Sequence, residues 1–258
     1  MKKLAFAFAA AAAMSFAAAA NAAPVKVGIA AEPYPPFAAP DAAGNWTGWE
    51  VDFANAVCKA AELECVITPV AWEGIIPSLT GGQIDAIMAS MSITAERSKV
   101  IDFSDKYYNT PAYVVGTKGV EMAPTAEGLA GKIIGVQSST THEAYVQKHF
   151  APTAAEVKIY QTQDEVNQDL AAGRIDAMQA DSIAMDAFLA SDVGKACCDL
   201  KGAAASDPDI LGKGVGAGVR KGDDALMAKI NDGIKKTRAD GTYDAFTAKY
   251  FASSIYGD

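Results

Sequence analysis

The sequence predicts an α/β protein whose mainly parallel sheets are flanked by helices. Strand-like and helix-like segments alternate along most of the chain, which is the pattern of parallel βαβ units. This alternation starts twice, near residue 25 and near residue 132. Residues 82–90 also resemble residues 173–181, since both stretches follow a helix that ends in glycine and both begin a strand with Ile-Asp-Ala. Two lobes of similar construction would explain this echo, and coincidence in an alanine-rich chain is the alternative.

The first run of elements follows from apolar spacing and from glycine and proline positions. Alternating or continuous apolar residues predict strands, apolar residues three or four apart predict helices, and Gly81-Gly82 stops a helix. Thr94 can cap a helix over 95–100. The predicted elements are strands over 25–29, 65–70 and 84–89 and helices over 49–61 and 74–79, with a proline-rich loop after the first strand.

The same reasoning predicts the second run and the C-terminus. Gly173 ends one helix, and Asp240-Gly241 separates the last two. The predicted strands cover 132–136, 157–161 and 175–179, and the predicted helices cover 141–150, 164–172, 181–191, 223–238 and 243–251.

The N-terminus reads as a secretory signal peptide over residues 1–22. Met1-Lys2-Lys3 is a basic head, residues 4–20 are uncharged, and Ala20-Asn21-Ala22 supplies small residues for cleavage after Ala22. A membrane anchor is the alternative, but an alanine-rich run of about 17 residues is at the short limit for a span. We expect a soluble, periplasmic product without direct membrane insertion.

Charge and cysteines narrow the partners. The formal net charge is -9 and no basic run occurs, so nucleic acid is a poor partner. Export favours disulfides, and we expect Cys58 and Cys65 to close a small loop. Cys197-Cys198 is either a vicinal disulfide or two thiols. Paired spacing for a zinc site is missing, and we expect no metal and no cofactor.

Eight short segments carry a family resemblance. They occur in the order 34–37, 48–52, 76–79, 84–97, 102–107, 128–136, 172–176 and 240–243. With them, nearly the whole chain after residue 22 resembles the polar amino-acid-binding proteins of bacterial ABC importers. The likeness is strongest to the subgroup that binds lysine, arginine, ornithine, histidine or opines.

The resemblance implies a two-lobed periplasmic binding protein fold of type II with two hinge strands. Residues 24–110 and 214–258 would form the first lobe, and residues 111–213 the second. Such a protein is a monomer and not an enzyme. It closes on an amino acid between its lobes and delivers it to a membrane ABC permease.

The expected cleft must pair both charges of an amino acid, because burying unpaired charges is costly. Arg97, near the start of the helix capped by Thr94, can bind a carboxylate with two parallel hydrogen bonds, and Ser90 and Ser92 can add donors. Asp181 matches the family's ammonium partner. The alternatives are a salt bridge of Arg97 with Glu96, small strand-end roles for the serines, and a helix N-cap for Asp181.

Three further residues match family positions for the ligand's side chain. Tyr34 and Trp72 offer flat rings to methylenes and to a cationic tip, with plain core as the alternative. Glu32 lies where binders of basic ligands carry an acid, although the local spacing needs a small gap and a solvated loop carboxylate is the alternative.

Thr141 is the residue chosen from segment 137–142, whose backbone and threonine side chain reach the ligand in the family. His142 receives no role, and Trp49 is expected in the core. The runner-up function is a secreted cyclohexadienyl (prephenate or arogenate) dehydratase on the same fold, which needs an acid in the cleft. Glu32 or His142 could supply that acid. A detached receptor sensor domain is a third interpretation.

Overall fold

The computed structural model describes residues 23–257 and shows an α/β architecture with two five-stranded sheets. The expected signal peptide and its cleavage site therefore lie outside the described residues. The strands are β1 (Val25–Ala30), β2 (Ala39–Pro40), β3 (Trp46–Thr47), β4 (Cys65–Val70), β5 (Ala86–Ile87), β6 (Ile101–Tyr108), β7 (Ala112–Thr117), β8 (Ile133–Gln137), β9 (Glu156–Tyr160), β10 (Ala177–Asp181), β11 (Cys198–Ala203) and β12 (Val215–Arg220).

The helices cover both faces of the sheets. They are α1 (Trp49–Ala60), α2 (Ile75–Thr80), α3 (Thr141–His149), α4 (Gln163–Ala171), α5 (Ser182–Ala190), α6 (Asp192–Cys197), α7 (Pro208–Leu211), α8 (Asp224–Ala239) and α9 (Thr242–Thr247), with 3-10 turns at Trp72–Gly74 and Arg97–Lys99. Within residues 23–257, no helix is both long enough and apolar enough to span a bilayer.

The two sheets have orders β4-β1-β5-β12-β6 and β11-β7-β10-β8-β9. The chain leaves the first sheet between β6 and β7 and returns between β11 and β12. The fold class is confirmed, and each sheet is mixed, with four of its five strands running in the same direction. In each sheet three strands pair in parallel, and two more join through antiparallel pairings. The strands by which the chain enters each sheet from the other one, β12 in the first and β7 in the second, run against the other four strands.

An aromatic cluster fills the core under the first sheet. Trp49 is 0% exposed and stacks on Phe53, with ring centroids 5.3 Å apart. Its indole Nε1 donates to Thr247 Oγ1 at 2.9 Å, so α1 is tied to the C-terminal helix α9. The prediction that Trp49 belongs to the core is confirmed.

The two Ile-Asp-Ala segments make equivalent contacts in the structure. Asp85 accepts a hydrogen bond from Lys26 N at 3.0 Å through its carboxylate, and its own N–H donates to Lys26 O at 2.8 Å. Asp176 makes the same pair of contacts with Ile133, both at 2.8 Å. Each aspartate therefore fixes its strand beside the first strand of its own run.

Close approach of backbone and side chain repeats in the same places. A Cβ on Gly28 would lie 2.3 Å from Ile84 Cδ1, and a Cβ on Gly135 would lie 2.5 Å from Ile175 Cδ1. In both sheets the isoleucine before the aspartate fills the space left by a glycine one strand away.

Both cysteine pairs are disulfides. The predicted Cys58–Cys65 bond is confirmed and ties the end of α1 to the start of β4. Cys197 and Cys198, whose state the sequence leaves open, form a vicinal disulfide where α6 meets β11.

Candidate functional site

A cleft of about 690 Å³, measured with its open mouth, lies between the two sheets. Its walls come from residues 30–97 on one side and 137–181 on the other. All the predicted site residues line it, namely Glu32, Tyr34, Trp72, Ser90, Ser92, Arg97, Thr141 and Asp181. The structure therefore brings the whole predicted set together, while the role of each residue toward a ligand stays a prediction.

Arg97 presents a guanidinium that is bonded to carbonyl groups only. Nη1 donates to Ser92 O at 3.1 Å, and Nη2 reaches across the cleft to Ser139 O at 3.3 Å. The guanidinium carbon also lies 5.4 Å from the centre of the Trp72 ring. Among residues 23–257, no carboxylate comes within 4 Å of this group. Burial lowers the pKa of Arg97 to about 10.

The helix expected after Thr94 is only a 3-10 turn. Thr94 Oγ1 accepts from Arg97 N at 3.2 Å, as a cap would, but the turn ends at Lys99. The prediction that Arg97 lies in the first turn of an α-helix is therefore wrong, and its anion preference comes from its own charge. The alternative of a salt bridge with Glu96 is also wrong, because Glu96 pairs with Lys99.

Asp181 ends β10 and points into the cleft. Its Oδ2 accepts from the Tyr34 hydroxyl at 2.8 Å, and its Oδ1 lies 3.4 Å from His142 Nε2. The residue occupies the N-cap position of α5 but makes no side-chain capping hydrogen bond. The carboxylate is thus directed at the cleft rather than at the helix.

Tyr34 crosses from the first-sheet wall to reach Asp181. Its ring stacks on Phe37 with centroids 6.0 Å apart. Burial raises the pKa of Tyr34, and the charge of Asp181 raises it further. The phenol therefore stays protonated and acts as a hydrogen-bond donor to the carboxylate.

Glu32 is held by the backbone that carries Trp72. Both carboxylate oxygens accept from Trp72 N, at 3.0 and 3.2 Å. Glu32 is therefore fixed in the cleft wall and is not the solvated loop carboxylate that was its alternative. It still has lone pairs for a cation, because one backbone N–H occupies only part of a carboxylate.

Thr141 is the first residue of α3 and is buried at the cleft. The helix is capped by its neighbour Thr140, whose hydroxyl accepts from Glu143 N at 3.1 Å. Because the first backbone N–H groups of a helix have no partner within it, this helix start offers donors beside Thr141.

Ser90 and Ser92 differ in what they have left to offer. Ser92 spends its carbonyl on Arg97. Ser90 donates its N–H to Glu50 Oε1 at 2.8 Å and its hydroxyl to Glu50 Oε2 at 2.9 Å. The prediction that Ser90 adds donors to the cleft is therefore wrong, since both of its donors are already used.

Sequence reasoning missed Glu50 and His142. Glu50 is 1% exposed and His142 is 7% exposed, and both line the cleft. Glu50 lies in segment 48–52 of the family resemblance, and His142 lies in segment 137–142, which reaches the ligand in the family; these positions were the only available signals. With Glu50, three carboxyl groups and one guanidinium line the cavity, namely those of Glu32, Glu50, Asp181 and Arg97.

Comparisons with known proteins agree with this architecture. An L-arginine-binding protein of Pseudomonas aeruginosa is 41% identical over 235 residues, which is 91% of this chain and 90% of that protein. A histidine-binding periplasmic protein of Salmonella typhimurium is 40% identical over 262 residues and all of both chains. The solved structure of an ancestral arginine-binding protein bound to arginine matches with a TM-score of 0.80 and 34% identity, and covers 88% of this chain and 98% of that one.

The fold class that the sequence predicted is that of these solved relatives. The model of the bacterial extracellular solute-binding proteins, family 3, matches residues 25–253. Since that match spans nearly all of the described residues, the chain belongs to the bacterial extracellular solute-binding proteins of family 3 and has a substrate-binding role.

Proposed function

We propose that this protein captures a basic amino acid in the periplasm and delivers it to an ABC permease. The observation that carries the proposal is a half-buried guanidinium that has no carboxylate partner among residues 23–257 and lies in one cleft with a carboxylate on the opposite wall. An amino acid brings a carboxylate for Arg97 and an ammonium for Asp181. Both ligand charges are then paired, which burial of a zwitterion requires.

The excess of carboxyl groups argues for a cationic side chain. A neutral amino acid adds no net charge to a wall with three carboxyl groups and one guanidinium. Arginine, lysine or ornithine adds one positive charge, for which Glu32 and the Tyr34 and Trp72 rings are the partners. The names of the arginine- and histidine-binding relatives support the same ligand class.

Closure of the two lobes, residues 24–110 with 214–258 and residues 111–213, completes the site. Three contacts cross the cleft: Tyr34 to Asp181, Arg97 to Ser139, and Ser138 to Glu73. A ligand that touches both walls favours the closed state because it binds that state better. This closed form is the one that we expect the permease to recognise.

Calorimetric titration with arginine, lysine, ornithine, histidine, an opine and glutamine tests the proposal. Tight binding of a basic amino acid is expected, and glutamine, which lacks the cation, should bind more weakly. Arg97→Ala should weaken binding of every amino acid by about 10- to 150-fold for each lost charge-assisted bond. Arg97→Lys is the matched control, since it keeps the charge but loses the planar fork and should fall between. Unchanged binding by Arg97→Ala would contradict the assignment.

Glu32→Gln tests specificity separately. It should weaken arginine and lysine more than glutamine, because it removes charge only at the side-chain end of the cleft. Equal weakening of binding for all three ligands would show that Glu32 does not recognise the cationic side chain.

A dehydratase is the second candidate, because Glu50 is a buried cleft carboxyl whose pKa is raised by burial. Such a group suits general acid catalysis. Against this role, its oxygens already accept three hydrogen bonds from the protein itself. Turnover of prephenate or arogenate by the purified protein would favour the enzyme, and binding of basic amino acids without turnover would favour the transport role.

A further inference from the structure

We propose that Glu50 sets the hydrogen-bond polarity of Ser90, so that Ser90 faces the ligand only as an acceptor. This inference rests on the proposed function, because it assigns the Ser90 side of the cleft to the ligand's ammonium. Glu50 would then be a positioning residue, which acts on the ligand through Ser90.

The contacts around Glu50 carry the argument. Oε1 accepts from Ser90 N at 2.8 Å and from the Tyr107 hydroxyl, and Oε2 accepts from Ser90 Oγ at 2.9 Å. A carboxylate can only accept hydrogen bonds, so the Ser90 hydroxyl proton must point at Glu50. The lone pairs of Ser90 Oγ and its carbonyl oxygen are what remain.

The backbone of Ser90 is held in a matching position. Its φ is 54°, a left-handed conformation that is unfavourable for a residue with a Cβ. The bond from Ser90 N to Glu50 helps to hold this conformation at the cleft wall. Glu50 itself lies in the first turn of the twelve-residue helix α1, where the helix dipole favours a negative charge.

Glu50→Gln reverses this polarity with little change of shape. The amide oxygen can replace Oε1 and keep the bonds from Ser90 N and Tyr107. The amide nitrogen then stands at the place of Oε2 and donates to Ser90 Oγ, which frees the serine proton to turn toward the cleft. An ammonium would then meet a donor instead of an acceptor.

A double-mutant cycle on arginine binding, measured by calorimetry, tests the inference. Ser90→Ala should weaken binding by about three- to tenfold in the wild-type background, where it removes an acceptor. In the Glu50→Gln background the same substitution should cost nothing or improve binding, because it removes a misdirected donor. An equal cost in both backgrounds would overturn the role of Glu50, whereas failure of the wild-type protein to bind any amino acid would overturn the proposed function itself.

Two controls keep the result interpretable. The Tyr108 hydroxyl lies close enough to the Ser90 side chain for Ser90 to affect the pKa of Tyr108, so it could receive the freed proton. The cycle is therefore repeated with Tyr108→Phe, in which the freed proton has only the cleft to face. If Glu50→Gln does not fold, the wild-type background gives a second test with the des-amino analogue of arginine. Ser90→Ala should leave binding of that analogue unchanged, since it has no ammonium, and a loss equal to that for arginine would overturn the acceptor role.

Discussion

The two strand ends that meet at the cleft are built alike and finished differently. In each sheet, an aspartate (Asp85 or Asp176) accepts a hydrogen bond from the neighbouring strand. The isoleucine before it fills the space beside a glycine of that strand. Five residues after each aspartate, Ser90 follows the end of β5 and Asp181 is the last residue of β10. The repeated aspartate and isoleucine fix the position of the backbone. The residue that follows, Ser90 or Asp181, places a neutral hydroxyl on one wall of the cleft and a carboxylate on the other.

Asp181→Asn should produce the largest effect among tests of this comparison. It removes the charge that faces the ligand's ammonium and should lower arginine affinity by about 10- to 150-fold. Asp176→Asn is the matched control, because that carboxylate bonds to Ile133 N and does not line the cleft. Calorimetry should show near-wild-type affinity for the control. Equal loss in both variants would mean that the terminal residue is not special.

The shared glycines can be compared by stability. A Cβ at Gly28 meets the flexible end of Ile84, whereas a Cβ at Gly135 also comes within 3.2 Å of Val166 and Tyr160 side chains. Overpacking of this kind costs about 1–3 kcal/mol, and we expect Gly135→Ala to destabilise more than Gly28→Ala.

Denaturant unfolding measures this difference. Adding Ile84→Val to Gly28→Ala removes the clashing Cδ1 and should recover part of the loss. A greater loss of stability in Gly28→Ala than in Gly135→Ala would contradict the explanation from these contact distances.

Ser90 and Asp181 also differ in backbone conformation, with φ at 54° and -60°. Glycine adopts a positive φ without the cost that a Cβ brings. We therefore expect Ser90→Gly to be more stable than Ser90→Ala by about 1 kcal/mol in denaturant unfolding. Equal stabilities would indicate that the positive φ is not under strain.

The smallest expected effect concerns an ion cluster in the second half. Asp207 accepts from Lys148 at 2.9 Å and contacts His149 at 2.8 Å, and these partners lower the pKa of Asp207 to about 2. A lowered folded-state pKa means that the stabilisation is present above the unfolded value of about 3.9 and is lost as the pH falls toward 2. The melting temperature of Asp207→Asn should lie below that of the wild type at pH 6, and the gap should close near pH 2. A gap independent of pH would point to packing instead.

Sequence patterns were most informative where local spacing decides structure. The strand over 65–70 has the bounds that its apolar run predicts, and the helix over 49–61 differs by one residue. The strand predicted over 84–89 is reduced to Ala86–Ile87. The chain reaches a left-handed conformation at Ser90, which the apolar pattern does not predict. The helix after Thr94 likewise shrinks to one turn.

The sequence predicted residues that line the site, but it did not predict the hydrogen bonds that connect them. Motifs placed the predicted residues around one cleft, yet Glu50 looked like an ordinary acid in the first turn of a helix, where the dipole alone would explain it. Its burial against Ser90 and Tyr107 depends on strands 40 and 57 residues away. Contacts over such separations leave no periodic trace in a single sequence.

The hydrogen bond from Tyr34 to Asp181 affects how well uncharged solutes can compete for the cleft. One oxygen of the Asp181 carboxylate already accepts a hydrogen bond from the Tyr34 phenol. A visiting sugar or alcohol offers only another neutral hydroxyl, so exchanging one for the other gains little free energy. In the function that we propose, the ligand's ammonium offers full charge and several donors, and we expect it to compete with Tyr34 for Asp181 better than a neutral hydroxyl does. On that proposal, we expect Tyr34 to favour ammonium ligands over uncharged solutes at this end of the cleft.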